Sequence, residues 1–455
     1  MAIFRHGRIA RLRDRIDSIG KTTCANLLLV LTLTLLMRLP FLSTNAHLSG
    51  DIKIYRNWAE QIYRHGLTTI YDSPEADYPP LLLYLLGGEA WIAAHLPLAL
   101  TANNAAMTTL IKLPAVLADL LTTALIFWVL RGQSLARRRT IALLYGLNPA
   151  IWYISALWGQ TDAVYTCLLV AAMLLLMYGA VTPAWIAYAL AVGTKGQSVF
   201  LFPIITTLTL ARHGVRGLAR GVGSGVIVGV LITLPWLISG RLMLVVQRYT
   251  LPSRPWLLVV SAYNIWYLML WGHIGRFPPT RLLPGLPVSY RVVALGMYAV
   301  WVLLIVGLLW RDPRRPWMLA TVLLNLGMFI MLPQMYDRYM FATIVFLLLS
   351  AASWASTRTE ARAEGRPELW WAYGVLSLTF LINLIISSRF APVPRTNRPT
   401  VWQPTRINAL LQGLALLVAL TNTIVFCWLS ARFFTWRAVD AAPDTPPSAG
   451  LEISE

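Results

Sequence analysis

Residues 24–41, CANLLLVLTLTLLMRLPF, run from a basic N-terminal stretch into a polar segment that ends in Ser49-Gly50-Asp51, and their reading decides the fold. An apolar run of about 20 residues is long enough to cross a bilayer as a helix. Basic residues from Arg5 to Lys21 precede it, an arrangement that a secretory signal also shows. The run is too long for an ordinary signal core, and no small-x-small cleavage site stands before the polar loop. The expectation is a retained signal-anchor helix with its basic end in the cytoplasm, which delivers Asp51 to the opposite face.

Composition extends this reading to the whole chain. Of 455 residues, 57% are hydrophobic and 13% charged, with a mean hydropathy of +0.61, which leaves too little polar surface to cover a soluble globule. An all-α polytopic membrane protein follows, read as one integral domain over residues 1–438. The tail 439–455, with Pro443, Pro446 and Pro447, is expected to be disordered. The net charge of +19 comes from Arg clusters between apolar runs. That pattern fits cytoplasmic loops facing anionic membrane lipids and argues against nucleic acid as a partner. Cys24, Cys167 and Cys427 lie far apart inside apolar runs, with neither a disulfide framework nor zinc spacing.

Placing the basic clusters inside gives about twelve crossings with both termini in the cytoplasm. They are read at roughly 24–42, 107–130, 141–158, 163–179, 182–194, 196–211, 219–239, 290–310, 316–333, 338–355, 369–387 and 408–430. Only one of the runs 79–98 and 107–130 can cross if both flanking basic clusters are inside. The first opens with Tyr78-Pro79-Pro80 and is broken by Gly87-Gly88-Glu89, so it is read as a juxtamembrane helix at the outer interface. Outside then lie the long segments 43–106 and 240–289 and a Pro- and Arg-rich loop at 388–407. The first two are too aromatic to be disordered.

Five polar clusters fall on that outer face. Asp51 has two compatible readings, as N-cap of a helix over 52–65 whose Ile54, Trp58, Ile62 and His65 share a face, and as an ordered, ionised general base. Asp77-Tyr78-Pro79-Pro80 is either a helix-entry turn or part of the same site. Trp158-Gly159-Gln160-Thr161-Asp162 packs amide, hydroxyl and carboxylate into one turn, and Asn148-Pro149 breaks the helix before it. Lys195, in Thr194-Lys195-Gly196-Gln197, either snorkels to the interface or lines a polar cavity and meets an anion. Arg338, in Gln334-Met335-Tyr336-Asp337-Arg338-Tyr339, has a fork suited to phosphate oxygens, and Asp337 is a candidate partner for it. Lys112 and Asp119 share a face of the second crossing and are read as a buried structural pair.

With these motifs in view, the chain resembles the GT-C glycosyltransferases, polytopic enzymes that use polyprenyl-phosphate sugars. It is most similar to the prokaryotic group related to the GPI mannosyltransferase that adds the second mannose. The resemblance rests on Gly50-Asp51 with Tyr55 and Trp58, Asp77-Tyr78-Pro79-Pro80-Leu81, Asn148-Pro149, Trp158-Gly159-Gln160-Thr161-Asp162, Lys195-Gly196-Gln197, Tyr263-Asn264-Ile265-Trp266 and Tyr336-Asp337-Arg338-Tyr339. Relatives typically read His-Glu-Arg-Tyr at the last motif; here Tyr336 and Asp337 replace the first two residues, so no role of that histidine carries over.

The resemblance implies a GT-C fold with juxtamembrane helices in the first outer loop, set in the cytoplasmic (inner) membrane, with the site on its outer face. It implies Asp51 as general base in a single inverting displacement that moves a sugar, expected to be mannose, from polyprenyl phosphate to an acceptor hydroxyl on a glycan, lipid or protein. Lys195 and Arg338 are the candidates for the phosphate. Asp77, Tyr78, Gln160, Asp162, Gln197 and Asn264 are placed around the sugar or acceptor. No cofactor and no metal are expected, since no His/Asp cluster has metal spacing. Other classes remain open: the same fold with glucose, arabinose or an amino sugar, a lipid transporter, or a non-catalytic assembly subunit.

Overall fold

The computed structural model describes residues 3–44, 50–73, 76–96, 105–250, 257–272, 277–352, 367–390 and 409–436. These residues are mostly helical, with no strand among them and a single isolated bridge between Leu282 and Ser289. The tail 439–455 and most of the loop 388–407 lie outside the described residues.

Among the described residues six helices are long and apolar enough to cross a membrane: Gly20–Leu42, Ala105–Val129, Gly196–Ile238, Tyr290–Arg311, Glu368–Ser388 and Ala409–Phe434. A seventh forms if Leu135–Gly146 and Pro149–Trp158, bent by 42°, make one broken span. The twelve crossings expected from the sequence are therefore not reproduced by length and apolarity. Asp162–Met177, Val181–Thr194 and Trp317–Met331 are apolar but short, below the ~20 residues that a full crossing needs. The expected pair 196–211 and 219–239 forms one helical stretch of 43 residues, interrupted at Gly214 (φ 62°, ψ −170°). That break falls between Arg212 and Arg216, where the sequence places a basic loop.

Hydrophobicity around the whole circumference explains the centre. Trp317–Met331 and Phe341–Ala351 are buried on nearly every side, as helices apolar all round must be. Helix Gly196–Ile238 instead leaves Val226, Ile227, Val230, Leu231 and Leu234 exposed, a surface for lipid tails. The three cysteines are unbridged. After the first span, helix Asp51–His65 buries Ile52, Tyr55, Trp58, Ala59 and Ile62, while His65 is exposed and Ile54 half-buried. The next helix, Pro80–His95, starts at the paired prolines, with Pro80 at its first turn.

Lys112 and Asp119 do not pair. Lys112 Nζ donates to the carbonyls of Phe41 (2.8 Å), Thr44 (2.8 Å) and Leu157 (3.0 Å), clamping the end of the first span to the later hairpin. Asp119 takes Arg38 instead, with Nε and Nη2 each 2.9 Å from Oδ2. Arg38 Nη1 reaches the carbonyls of Thr34 (2.8 Å) and Gly146 (2.7 Å). Tyr145 and Ser155 donate to Asp119 at 2.7 and 2.5 Å. Both charges are fully buried, and their pairing with surrounding hydrogen bonds is what makes them tolerable there.

Removing one member of such a pair costs about 3–5 kcal/mol, because the other charge stays buried without compensation. Asp119→Ala is expected to unfold at a clearly lower temperature in detergent than the parent protein, with Asp119→Asn between them. An unchanged unfolding temperature for Asp119→Ala would assign the network no structural weight.

Candidate active site

The site starts from a backbone choice. Gly50, at φ 79°, turns the chain into helix Asp51–His65 and holds the N-cap position, which leaves Asp51 as the first residue of the helix. The N-cap reading of Asp51 is thereby corrected. Its carboxylate accepts instead from Trp158 Nε1 at 2.9 Å and from Gln160 Nε2, both on the turn between the broken span and Asp162–Met177.

That turn has its own cause. Asn148 caps Pro149–Trp152 by accepting from Ala150 N at 3.0 Å, and the following Tyr153–Trp158 forms a π-helical turn. Phe41 stacks on Trp152 with centroids 4.8 Å apart. The π turn ends at Gly159 (φ 83°), where a Cβ atom would lie 2.4 Å from Ile52 Cδ1 and 3.0 Å from Lys112 Cγ. Only glycine lets the turn lie this close to helix Asp51–His65.

Beyond the turn, Asp162 is buried and pairs with Lys195 at 2.6 Å. Neither snorkelling nor an isolated ammonium describes Lys195, whose cost at depth is met by this acid. Its Nζ also lies 5.7 Å from the Tyr165 ring and 6.0 Å from the Tyr78 ring. Arg338 is buried and makes no ion pair among the described residues. Its guanidinium sits over the rings of Tyr336 (4.6 Å) and Trp158 (5.7 Å), with Asp51 and Asp162 in electrostatic reach. Trp158 thus touches both the Asp51 carboxylate and this cation.

Asp337 does not pair with the Arg338 side chain. It accepts from Arg338 N (3.0 Å), from Ser261 Oγ (3.2 Å) and from Ser387 Oγ, which fastens the Arg338 segment to the segment 257–272 and to helix Glu368–Ser388. Tyr78 faces the centre, its hydroxyl 2.9 Å from that of Tyr55, and Tyr71 donates to its carbonyl at 2.7 Å. Burial pushes the Tyr55 and Tyr78 phenols up from their ordinary range, so both stay protonated donors at neutral pH.

The structure therefore brings together Asp51, Tyr78, Gln160, Asp162, Lys195 and Arg338. Asp77 is exposed beside them, and Gln197 is half-buried, two residues beyond Lys195. Asn264 is committed elsewhere: its Oδ1 caps the backbone of Trp266 and Tyr267, and its Nδ2 donates to the carbonyls of Phe329 (3.0 Å) and Leu332 (3.2 Å). Sequence reasoning missed Arg38 and the serines Ser261 and Ser387. An arginine inside the first apolar run was the available signal for Arg38; nothing local marks the serines.

Among the described residues no group of three or more His, Cys, Asp or Glu side chains could hold a metal ion. Acids, aromatic hydroxyls and a guanidinium without an ion pair among the described residues gather around Asp51 in a polytopic membrane protein. Residues 23–263, more than half of the chain, match the family described as GPI transamidase subunit PIG-U, and the chain belongs to that family. The match contains Asp51, Tyr78, Gln160, Asp162 and Lys195 but ends before Arg338. No curated protein matches the chain.

At φ 83° a non-glycine residue costs about 1–2 kcal/mol, and at Gly159 the Ile52 contact adds to it. Gly159→Ala is expected to lower the unfolding temperature well beyond Gly132→Ala, whose Cβ would meet nothing within 4 Å. Equal effects of the two substitutions, measured by thermal unfolding, would show the turn to be loosely packed.

Proposed function

We propose that the chain is an inverting glycosyltransferase of the GT-C kind, acting on the non-cytoplasmic face of the inner membrane with both termini in the cytoplasm. Asp51 serves as its general base. The reading is carried by one observation: the Asp51 carboxylate is held by Trp158 and Gln160, next to a buried Arg338 that has no ion pair among the described residues. A fixed carboxylate beside such a cation suits a reaction that takes a proton from one substrate and leaves charge on another.

In this reaction the acceptor hydroxyl oxygen forms a bond to the anomeric carbon of a polyprenyl-phosphate sugar, mannose in this reading. The bond from that carbon to the phosphate oxygen breaks with its electron pair. The hydroxyl proton passes to Asp51, and polyprenyl phosphate departs as an anion. Arg338 is assigned to the phosphate, and Lys195, held by Asp162, lends positive potential beside it. Tyr78, Asp77 and Gln197 border the sugar and acceptor.

The family description names a GPI transamidase subunit, and a second reading built on it is a subunit that binds a glycolipid without turning it over. The two separate at Asp51. Asp51→Asn keeps the shape but loses the basicity, and general-base catalysis contributes about 10²–10⁴ in rate. The expected outcome is a variant with unchanged unfolding temperature and donor binding whose sugar transfer falls by that factor. Near-parental turnover would remove Asp51 as the base, and absence of transfer by the parent protein with any lipid-linked donor, alongside glycolipid binding, would favour the subunit.

Arg338→Ala separates the phosphate role from packing. Loss of one charge-assisted contact corresponds to about 1.5–3 kcal/mol, so kcat/KM for the lipid-linked donor is expected to fall roughly 10–150-fold. Lys195→Ala, which strands Asp162, is expected to lose stability as well. Parental donor kinetics in Arg338→Ala would assign the guanidinium to aromatic packing alone.

A further inference from the structure

Gln160 is fully buried, and both ends of its amide are engaged. Nε2 donates to Asp51. Oε1 accepts from the Tyr78 hydroxyl at 3.3 Å and lies 3.1 Å from that of Tyr55, whose one proton is shared between Oε1 and the Tyr78 oxygen 2.9 Å away. Turned end for end, the amide would set its oxygen against the Asp51 carboxylate and its NH₂ against two phenols. Hydroxyl donors on the carbonyl also polarise the amide and make its N–H a stronger donor to the carboxylate.

We propose that Tyr55 and Tyr78 are positioning residues: they lock the Gln160 amide and, through it, hold the Asp51 carboxylate in the orientation from which it takes the acceptor's proton. This rests on Asp51 being the base. The chain joins three separate segments, helix Asp51–His65, the Tyr-Pro-Pro turn and the turn after the broken span. Tyr71 ties down the second of these through its 2.7 Å bond to the Tyr78 carbonyl. The orientation of the acid thus depends on the Tyr78 turn being docked. Arg338, Lys195 and Trp158 also face this centre, but none of them touches the Gln160 carbonyl oxygen.

The experiment uses the full chain in detergent or nanodiscs with Tyr55→Phe, Tyr78→Phe and the double variant. Tyr84→Phe is the control, because its hydroxyl reaches only the Ile232 carbonyl, at 3.0 Å. Infrared difference spectra against Asp51→Asn isolate the Asp51 carboxylate bands. These bands are expected to shift in the double variant and to stay in place in Tyr84→Phe. Sugar transfer by the double variant is expected to fall about tenfold in kcat, and Tyr55→Phe, whose hydroxyl is placed away from the substrate, is expected to add no further fall in a Gln160→Ala background. Unmoved carboxylate bands, or a Tyr55→Phe effect that persists in Gln160→Ala, would overturn the proposal. Shifted bands together with an active Asp51→Asn would support the positioning and reject the general base, so the two ideas fail separately.

Discussion

The buried ion pair of Arg38 with Asp119 is the constraint on which the rest of the structure depends. It joins the first span to the second, and through Gly146, Tyr145 and Ser155 it joins both to the broken span. Two charges taken out of water repay that cost only when their remaining hydrogen-bonding capacity is met. Here three helices must be present at once to meet it. Lys112 repeats the device one level up, satisfying carbonyls from two of the same elements. With these helices fixed, the turn carrying Trp158 and Gln160 has one place to go, beside Asp51.

The polar centre has a division of labour that follows from pairing. Lys195 and Asp162 neutralise each other, and Asp337 is absorbed by serines and a backbone amide. Arg338 has no ion pair among the described residues, and Trp158 lies between it and the Asp51 carboxylate. The aromatic ring offers one the edge N–H and the other its π face. An indole is suited to bridging an acid and a cation in this way, because its edge is positive and its face negative.

Much of this was legible in the sequence, for reasons particular residues make plain. Apolar runs marked the spans because no water is available at depth to satisfy an open backbone. Gly50-Asp51, Trp158–Asp162, Lys195 and Arg338 stood out as polar clusters that an apolar chain does not need for solubility. Partners were not legible. Lys112 and Asp119 share a helix face and invited pairing, yet each found a better-matched group from a distant helix. Asn264 looked like a pocket residue, but the backbone needed its amide for four bonds. Length and apolarity single out six or seven spans among the described residues rather than twelve, and the stretch Gly196–Ile238 holds two of the expected runs on either side of the non-helical Gly214.

The π-helical turn at Tyr153–Trp158 has a consequence for how such a site arises. A π turn is an α-helix that has accepted one extra residue without breaking. Each residue in an α-helix advances the chain by about 100°. Loss of one residue from this turn would return the span to ordinary register and swing Trp158 away from both Asp51 and Arg338. The distance between a plain structural hairpin and one that grips an acid is, in evolutionary terms, a single inserted codon.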